Sequence, residues 1–414
     1  MEEWKEYRLG DVAIIKGGKR LPKGIELISN PNTHPYIRIS DMYVNKTMEL
    51  TSSYRYVDNN TFNKIKNYIV NSGDIILAIV GNTIGLVAVI GKSLNNANLT
   101  ENCVKIIANK EVSQEYIYYY LTSIYGQNKI KKSIVGAAQP KLPIKNIISI
   151  TISAPSKELQ ERTTNILSSL DDKIELNRRI NENLEQQAQA LFKSWFVDFE
   201  PFKDGKFVDS ELGMIPEGWE VGQLLDFGKI ICGKTPSKNI KEFFGGDIPF
   251  IKIPDMHNQL FIINTEDSLS VEGNQTQQTK LLPPYSLLVS CIATVGLVAI
   301  NTRPSHTNQQ INSIVPQNKN SLYYLYLNLT LMKKQLENMG RGGTATLNIN
   351  TTSFGKTRMI IPNNEVLDKF SHIVEPLFKE IEILSKQTFE LAQLRDILLP
   401  KLMSGELEIN DFNN

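Results

Sequence analysis

Cysteine is scarce in this chain. Cys103, Cys232 and Cys291 are the only three in 414 residues, and no two approach a Cys-x-x-Cys spacing. Sulfur therefore supplies neither a disulfide framework nor a Cys-rich zinc module, which fits a reducing compartment. Four histidines, His34, His257, His306 and His372, are equally scattered, so no metal site is expected. No run of about 18 apolar residues exists, so no membrane partner is expected. Met1-Glu2-Glu3-Trp4-Lys5 has no apolar core of a secretory signal, and a cytoplasmic location follows as the expectation. Walker A, GxGxxG and PD-(D/E)xK patterns are all missing, and with them a P-loop motor, a dinucleotide or S-adenosylmethionine fold and a metal-dependent nuclease. No catalytic constellation is left, so the chain reads as a non-enzyme.

Net charge is also small, +1 at neutral pH, but it conceals a segregation. Residues 1–155 carry 19 Lys and Arg against 12 Asp and Glu, and residues 215–362 carry 13 against 10. Residues 156–200 carry 6 against 9, and residues 363–414 carry 5 against 10. Basic blocks alternate with acidic ones, and a basic block can be the footprint of a polyanion.

The chain contains an internal duplication. Trp4-x4-Leu9-x-Asp11 recurs as Trp219-x4-Leu224-x-Asp226, and Gly18-Lys19 as Gly233-Lys234. Pro35-Tyr36-Ile37-Arg38-Ile39-x-Asp41-Met42 recurs as Pro249-Phe250-Ile251-Lys252-Ile253-x-Asp255-Met256. Thr83-x-Gly85-Leu86-Val87-Ala88 recurs as Thr294-x-Gly296-Leu297-Val298-Ala299, and Gly136-x-Ala138 with Pro155 as Gly343-x-Ala345 with Pro362. The matches keep their order while the offset shrinks from 215 to 207, as one duplicated unit with a few deletions requires.

Each copy has a globular part and a helical part. Short β-rich runs such as 74–80 and 286–292 are broken by Gly and Asn turns. After Pro155-Ser156, apolar residues recur at Leu159, Ile166, Leu170, Ile174, Leu184, Ala188 and Leu191; after Pro362-Asn363, at Val366, Phe370, Ile373, Leu377, Ile381, Leu384, Leu391 and Leu398. Steps of three and four predict two long helices, each about 60 Å at 1.5 Å per residue. A long apolar stripe must be buried, and the economical partner is the other copy, antiparallel. Asn177 and Asn181 interrupt the first seam; either they fix register as buried asparagines do, or they face solvent, which is the reading favoured here. The expected class is α+β: two similar mixed α/β domains joined by two antiparallel helices in a coiled coil. The boundaries read as 1–155 for the first domain, 156–200 for the first helix, 201–218 for a linker, 219–362 for the second domain and 363–414 for the second helix and tail.

Leu282-Pro283-Pro284-Tyr285 mimics the (Asn/Asp)-Pro-Pro-(Tyr/Phe) loop of amino-methyltransferases. Leu stands where that loop needs an amide or carboxylate acceptor, and the repeat aligns the segment with the turn Ser72-Gly73-Asp74. The residues suited to binding are basic and glycine-rich. They are Lys16, Lys19 and Arg20, matched by Lys234, Thr235, Ser237 and Lys238; Lys131, Lys132, Gln139 and Lys141, matched by Arg341, Thr344 and Thr346; and the amides Asn308, Gln309 and Gln310. Lys and Arg suit phosphates, while Arg, Asn and Gln can read base edges. The glycines among them would allow a ligand to approach the backbone. A solvated turn is the plain alternative for any one of these loops.

Three long motifs carry a family resemblance. Residues 190–202 (Ala-Leu-Phe-Lys-Ser-Trp-Phe-Val-Asp-Phe-Glu-Pro-Phe), 213–219 (Gly-Met-Ile-Pro-Glu-Gly-Trp) and 394–407 (Leu-Arg-Asp-Ile-Leu-Leu-Pro-Lys-Leu-Met-Ser-Gly-Glu-Leu) resemble the end of the central conserved region, the start of the second target recognition domain and the C-terminal conserved region of type I restriction–modification specificity subunits. Trp4-x4-Leu9-Gly10-Asp11 is similar to the start of the first recognition domain. The resemblance implies a non-catalytic subunit whose two domains each read half of a bipartite asymmetric site in double-stranded DNA, with the coiled coil setting the spacer. It implies two methyltransferase subunits docked on the helices, and restriction subunits beside them. S-adenosylmethionine, ATP and Mg would belong to those partners, with no cofactor on this chain. The competing readings are a coiled-coil scaffold that grips a protein or glycan through its globular ends, and a stand-alone methyltransferase or nuclease.

Overall fold

The duplicated sequence builds the same sheet twice. The computed structural model describes residues 4–42, 46–341 and 347–407. The first sheet has the order Ala13–Gly17, Cys103–Ala108, Ile75–Ala78, Val87–Ile90 and Thr47–Met48; its second copy has Gly228–Cys232, Ile311–Pro316, Leu287–Ser290, Val298–Asn301 and Phe261–Ile262. In each, four strands run antiparallel and the last pairs parallel to its neighbour. A smaller sheet accompanies each copy, with a parallel pair at its heart: Pro35–Ile37 beside Ala97–Leu99, and Phe244–Ile251 beside His306–Thr307. An antiparallel ribbon joins the beginning of each repeat to its end, Lys5–Arg8 with Thr151–Ala154 and Glu220–Gln223 with Arg358–Ile361. Each ribbon ends where a long helix begins, so the ribbon fixes the point at which the helix leaves its domain.

Gly18 and Gly233 lie where the chain crosses from the first sheet to the second. Gly18 N donates to Cys103 O at 3.0 Å and Lys19 N to Leu99 O at 2.8 Å; Gly233 N donates to Ile311 O at 3.1 Å and Lys234 N to Thr307 O at 3.0 Å. A Cβ on Gly18 would stand 2.0 Å from Thr100 O, and one on Gly233 would stand 2.1 Å from Asn308 O. These glycines therefore admit the chain's own backbone, which corrects the expectation that they clear room for a ligand.

The two long helices span Lys157–Phe196, 40 residues, and Asn364–Ser404, 41 residues. Side-chain oxygens of Ser156 and Asn363 accept from Leu159 N and Val366 N, capping both N-termini. The second helix continues through Pro376 and Pro400. By contact the chain divides into residues 1–174 with 391–414, and residues 175–390, so each unit holds part of both helices. In the second unit Asn177 Nδ2 donates to Gln387 Oε1 at 2.8 Å and Asn181 Nδ2 to Ser385 Oγ at 3.2 Å; one number rises as the other falls, so the pair is antiparallel. In the first unit Asp171 meets Arg395 at 2.9 Å.

The seam differs from expectation in three ways. First, its apolar residues are shared with the domains. Val366, Phe370 and Ile381 join Phe192, Leu287, Ile314 and Tyr324 in one core, with Leu184, Leu191 and Leu377 at its margin. Leu159, Ile166 and Leu398 flank the first unit's core of Val104, Tyr116, Ile152, Leu167 and Met403. Leu384 is buried, and Leu170, Ile174 and Leu391 are half-buried. Second, Ile373 is 44% exposed, because the buried stripe runs through Val366, Phe370, Val374 and Phe378 and leaves Ile373 a quarter-turn aside. Third, Asn177 is fully buried rather than solvent-facing. The Oδ1 atoms of Asn177 and Asn181 and Oγ1 of Thr388 are buried with no protein partner.

Residues 201–218, expected as a linker, are mostly exposed but hold a short strand pair of their own and bury Ile215 and Pro216. Phe207–Val208 pairs with Ile215–Pro216, and Trp219 lies within 6 Å of the Phe196, Phe199 and Phe202 ring centres. Trp195, Phe196 and Phe370 complete an aromatic cluster that accounts for the aromatic motif at 190–202.

Two outcomes follow. Asn177→Leu removes an orphaned acceptor from the seam and raises unfolding stability by about 1 kcal/mol in urea titration; a lowered midpoint would show that the amide contact outweighs its desolvation. Gly18→Ala and Gly233→Ala each lower stability by more than ~2 kcal/mol, read as an earlier urea midpoint, because backbone must move to admit the methyl.

Candidate nucleic-acid interface

The two backbone crossings carry side chains that the sequence singled out. In the first unit Lys19 and Arg20 follow Gly18 and meet the loop at Thr100 and Glu101. Arg20 Nε donates to Glu101 Oε1 at 2.6 Å, and Thr100 Oγ1 donates to Glu101 Oε2 at 3.1 Å. Partial burial raises the Glu101 carboxyl, but the hydrogen bonds from Arg20, its own backbone and Thr100 together outweigh it and hold the group below its ordinary value. The Lys19 ammonium lies 5.4 Å from the Tyr68 ring centre. In the second unit Lys234 and Thr235 follow Gly233, and Thr235 Oγ1 donates to Gln309 Oε1 at 2.6 Å. Arg20 and Thr235 are repeat equivalents, and so are Glu101 and Gln309. One backbone frame thus holds a charged pair in one copy and a neutral pair in the other.

Asn308 lies in this second crossing but is largely buried. Its Oδ1 accepts from Gln310 N at 3.1 Å and its Nδ2 donates to Gln310 Oε1 at 3.0 Å, so it shapes the loop and its amide is not free for a base edge. Gln309, Ser237 and Lys238 are exposed. Lys16 is exposed on the edge strand, in register with Lys105. Lys131 and Lys132 are exposed at the C-terminal end of the helix Ile124–Lys132, where the helix dipole favours cations. Gln139 and Lys141 sit on a turn closed by mutual backbone bonds between Val135 and Lys141, each 2.9 Å. Arg341 is exposed after the helix Lys333–Gly340, while Thr344 and Thr346 lie outside the described residues. The structure thus joins Lys19 and Arg20 to one loop, and Lys234 and Thr235 to the equivalent loop at Thr307 and Gln309. Lys131 and Lys132 at their helix end, and Gln139 and Lys141 on the turn that follows, belong to a different part of the chain.

Glu101 and Tyr68 were missed by reasoning from sequence. The steady fall of the repeat offset would have matched Glu101 to Gln309; nothing in the sequence marks Tyr68.

Chemistry is sparse elsewhere. Among the described residues no group of three His, Cys, Asp or Glu could hold a metal. Burial pushes the Cys103 thiol up to about 12 and the Cys291 thiol up to about 11, so neither is a nucleophile near neutrality. Leu282-Pro283-Pro284-Tyr285 is a turn, with Tyr285 at φ +62° before the strand Leu287–Ser290. Among the described residues no helix is long and apolar enough to cross a membrane. A cavity of about 500 Å³ in the first unit is bounded by Lys46, Tyr119, Asp171 and Arg395. Tyr119 OH donates to Asp171 Oδ2 at 2.7 Å; burial, then the neighbouring carboxylate, keeps that phenol well above its ordinary range.

Comparison with known proteins agrees with this arrangement. Residues 1–186 and 216–393 match the family described as type I restriction modification DNA specificity domain. The chain is 36% identical over 470 residues to the type I restriction enzyme HindI specificity subunit of Haemophilus influenzae, covering 98% of this chain and 100% of that one. It is 28% identical over 418 residues to the MjaIX specificity subunit of Methanocaldococcus jannaschii, covering 99% and 95%. The crystal structure of the type I restriction–modification S subunit from M. genitalium shares the fold, with a TM-score of 0.59 at 16% identity over 97% of this chain and 96% of that one. Two family matches that coincide with the two sheet-bearing repeats, and relatives matched along their whole length, make this chain a member of the type I restriction–modification specificity subunit family.

Proposed function

We propose that the chain is the DNA-reading, non-catalytic subunit of a type I restriction–modification complex, each globular domain reading one half of a bipartite, asymmetric site. The observation that carries this reading is the pair of equivalent crossings, one backbone frame with different polar side chains. Equal frames suit equal docking on a duplex, and unequal side chains suit unequal half-sites. The antiparallel helices would set the spacer, as protein geometry sets half-site spacing elsewhere.

The same helices would dock two methyltransferase subunits. They are acidic by sequence and carry exposed apolar side chains, Leu176, Ile373 and Ile383 in the second unit and Leu394 and Ile397 in the first. The partners would bind S-adenosylmethionine and flip the target base, and restriction subunits would add ATP- and Mg-dependent translocation and cleavage. Shared phosphate contacts with those partners would explain the modest net charge. The complex would act in the cytoplasm. A scaffold that grips protein or glycan is disfavoured by the exposed Lys19 and Arg20 at one crossing and Lys234 and Lys238 at the other, which suit a polyanion.

Exchanging residues 215–362 for those of a relative, in the complex with methyltransferase subunits, changes one half of the methylated motif and leaves the other intact, as read by sequencing modified bases. Two unchanged halves would remove the assignment. Inserting four residues into each long helix, about 6 Å, lengthens the spacer by roughly two base pairs; an unaltered spacer would show that the helices do not set it.

A further inference from the structure

We propose that the side-chain pair at each crossing is the base-reading element of its half-site, with Arg20, held by Glu101, contacting guanine in one half, Gln309, held by Thr235, contacting adenine in the other, and Lys19 and Lys234 gripping the adjacent phosphates. This rests on the DNA-reading function proposed above.

Free hydrogen-bonding capacity selects these bases. Arg20 uses Nε on Glu101 Oε1, which leaves both Nη groups for the O6 and N7 acceptors of guanine. Glu101 is occupied on both oxygens, by Arg20 and by Thr100, so it orients the guanidinium and has little left for a base of its own. Gln309 accepts from Thr235 through Oε1, which fixes the amide plane. Its Nε2 donors and the second lone pair of Oε1 match N7 and the N6 amino group of adenine.

Stability does not explain the first pair. The Arg20 side chain is 80% exposed, and an ion pair at such exposure contributes little to folding. What the contact does achieve is direction, because an exposed arginine otherwise samples many rotamers. Direction is useful only toward something outside the chain. The frame beneath is rigid: the Lys19 and Lys234 amides are bonded across the crossing at 2.8 and 3.0 Å, one residue from the pair in each copy.

The lysines divide the labour. Lysine occupies the same position in both copies, whereas the next residue changes from arginine to threonine. A phosphate is identical at every base step and a base is not, so the invariant residue suits the backbone and the variable pair suits the sequence.

The test uses the full complex with its methyltransferase subunits and DNA duplexes carrying the methylated motif with single base-pair changes, at fixed salt. Arg20→Ala is expected to relax one G·C position in one half-site, with discrimination falling about 10- to 100-fold, and to leave the other half-site unchanged. Gln309→Ala does the same at one A·T position of the other half-site. Lys19→Ala and Lys234→Ala weaken every duplex alike and reduce the slope of log affinity against log salt by about one each. Should an alanine variant abolish binding, Arg20→Lys and Thr235→Val are measured in its place. Relaxed preference at the same position supports the assignment, and retained wild-type preference overturns it. Wild-type preference at every position in all the variants removes the assignment while the DNA-reading function stands. A wild-type complex with no base preference anywhere removes that function itself.

Discussion

Two helices of about 40 residues, each with an apolar stripe, cannot stand alone in water, and the burial of those stripes organises everything else in this protein. Pairing with each other covers only part of them. The remainder is covered by the domains, so that Phe370, Val374 and Phe378 belong to the same core as Leu287, Val289 and Tyr324. A helix embedded in a domain core transmits its direction to the sheet beside it. The ribbons Lys5–Arg8 with Thr151–Ala154 and Glu220–Gln223 with Arg358–Ile361 reinforce this, because each is continuous with the cap of a long helix.

The two copies solve the same anchoring problem with different chemistry. In the first unit Asp171 is buried and ionic, held by Tyr119 and Arg395. Its equivalent in the second unit is Phe378, stacked on Tyr323 at 4.1 Å between ring centres, and Tyr326, the equivalent of Tyr119, turns its hydroxyl to Glu185 at 2.8 Å. A buried carboxylate that loses its arginine is left uncompensated, whereas a stacked ring that loses one neighbour forfeits only contact area. The charged anchor is thus the less forgiving of the two.

Much of this was legible in the residues. Ordered matches with a drifting offset revealed the duplication, and steps of three and four between apolar positions revealed the helices. Their starts followed from Pro155-Ser156 and Pro362-Asn363. What failed was local. Ile373 fitted a spacing of three from Phe370, but Val374 fits a spacing of four equally well, and only the partner surface decides between them. Asn177 and Asn181 looked solvated because asparagine is mostly exposed, and only a facing Gln387 and Ser385 make burial tolerable. The crossing glycines looked like ligand clefts because sequence shows the missing Cβ but not the carbonyl that fills its place. At the interface, the lysines and arginines announced themselves, while Glu101 did not, since one acid among the 12 in residues 1–155 gives no hint that it orients an arginine.

The division of the chain has a bearing on its birth. The unit formed by residues 175–390 is contiguous, while the other needs both the first 174 residues and the last stretch from 391 onward. Trp4 rests against Gly405, and the C-terminal Leu402 and Met403 are part of the core that holds Leu9 and Val12. A ribosome delivers those residues only after the whole of 175–390, so the head that is begun earlier is completed later. Until then its core lacks a wall, and the nascent polypeptide must keep that open flank from sticking elsewhere while the second head closes ahead of it.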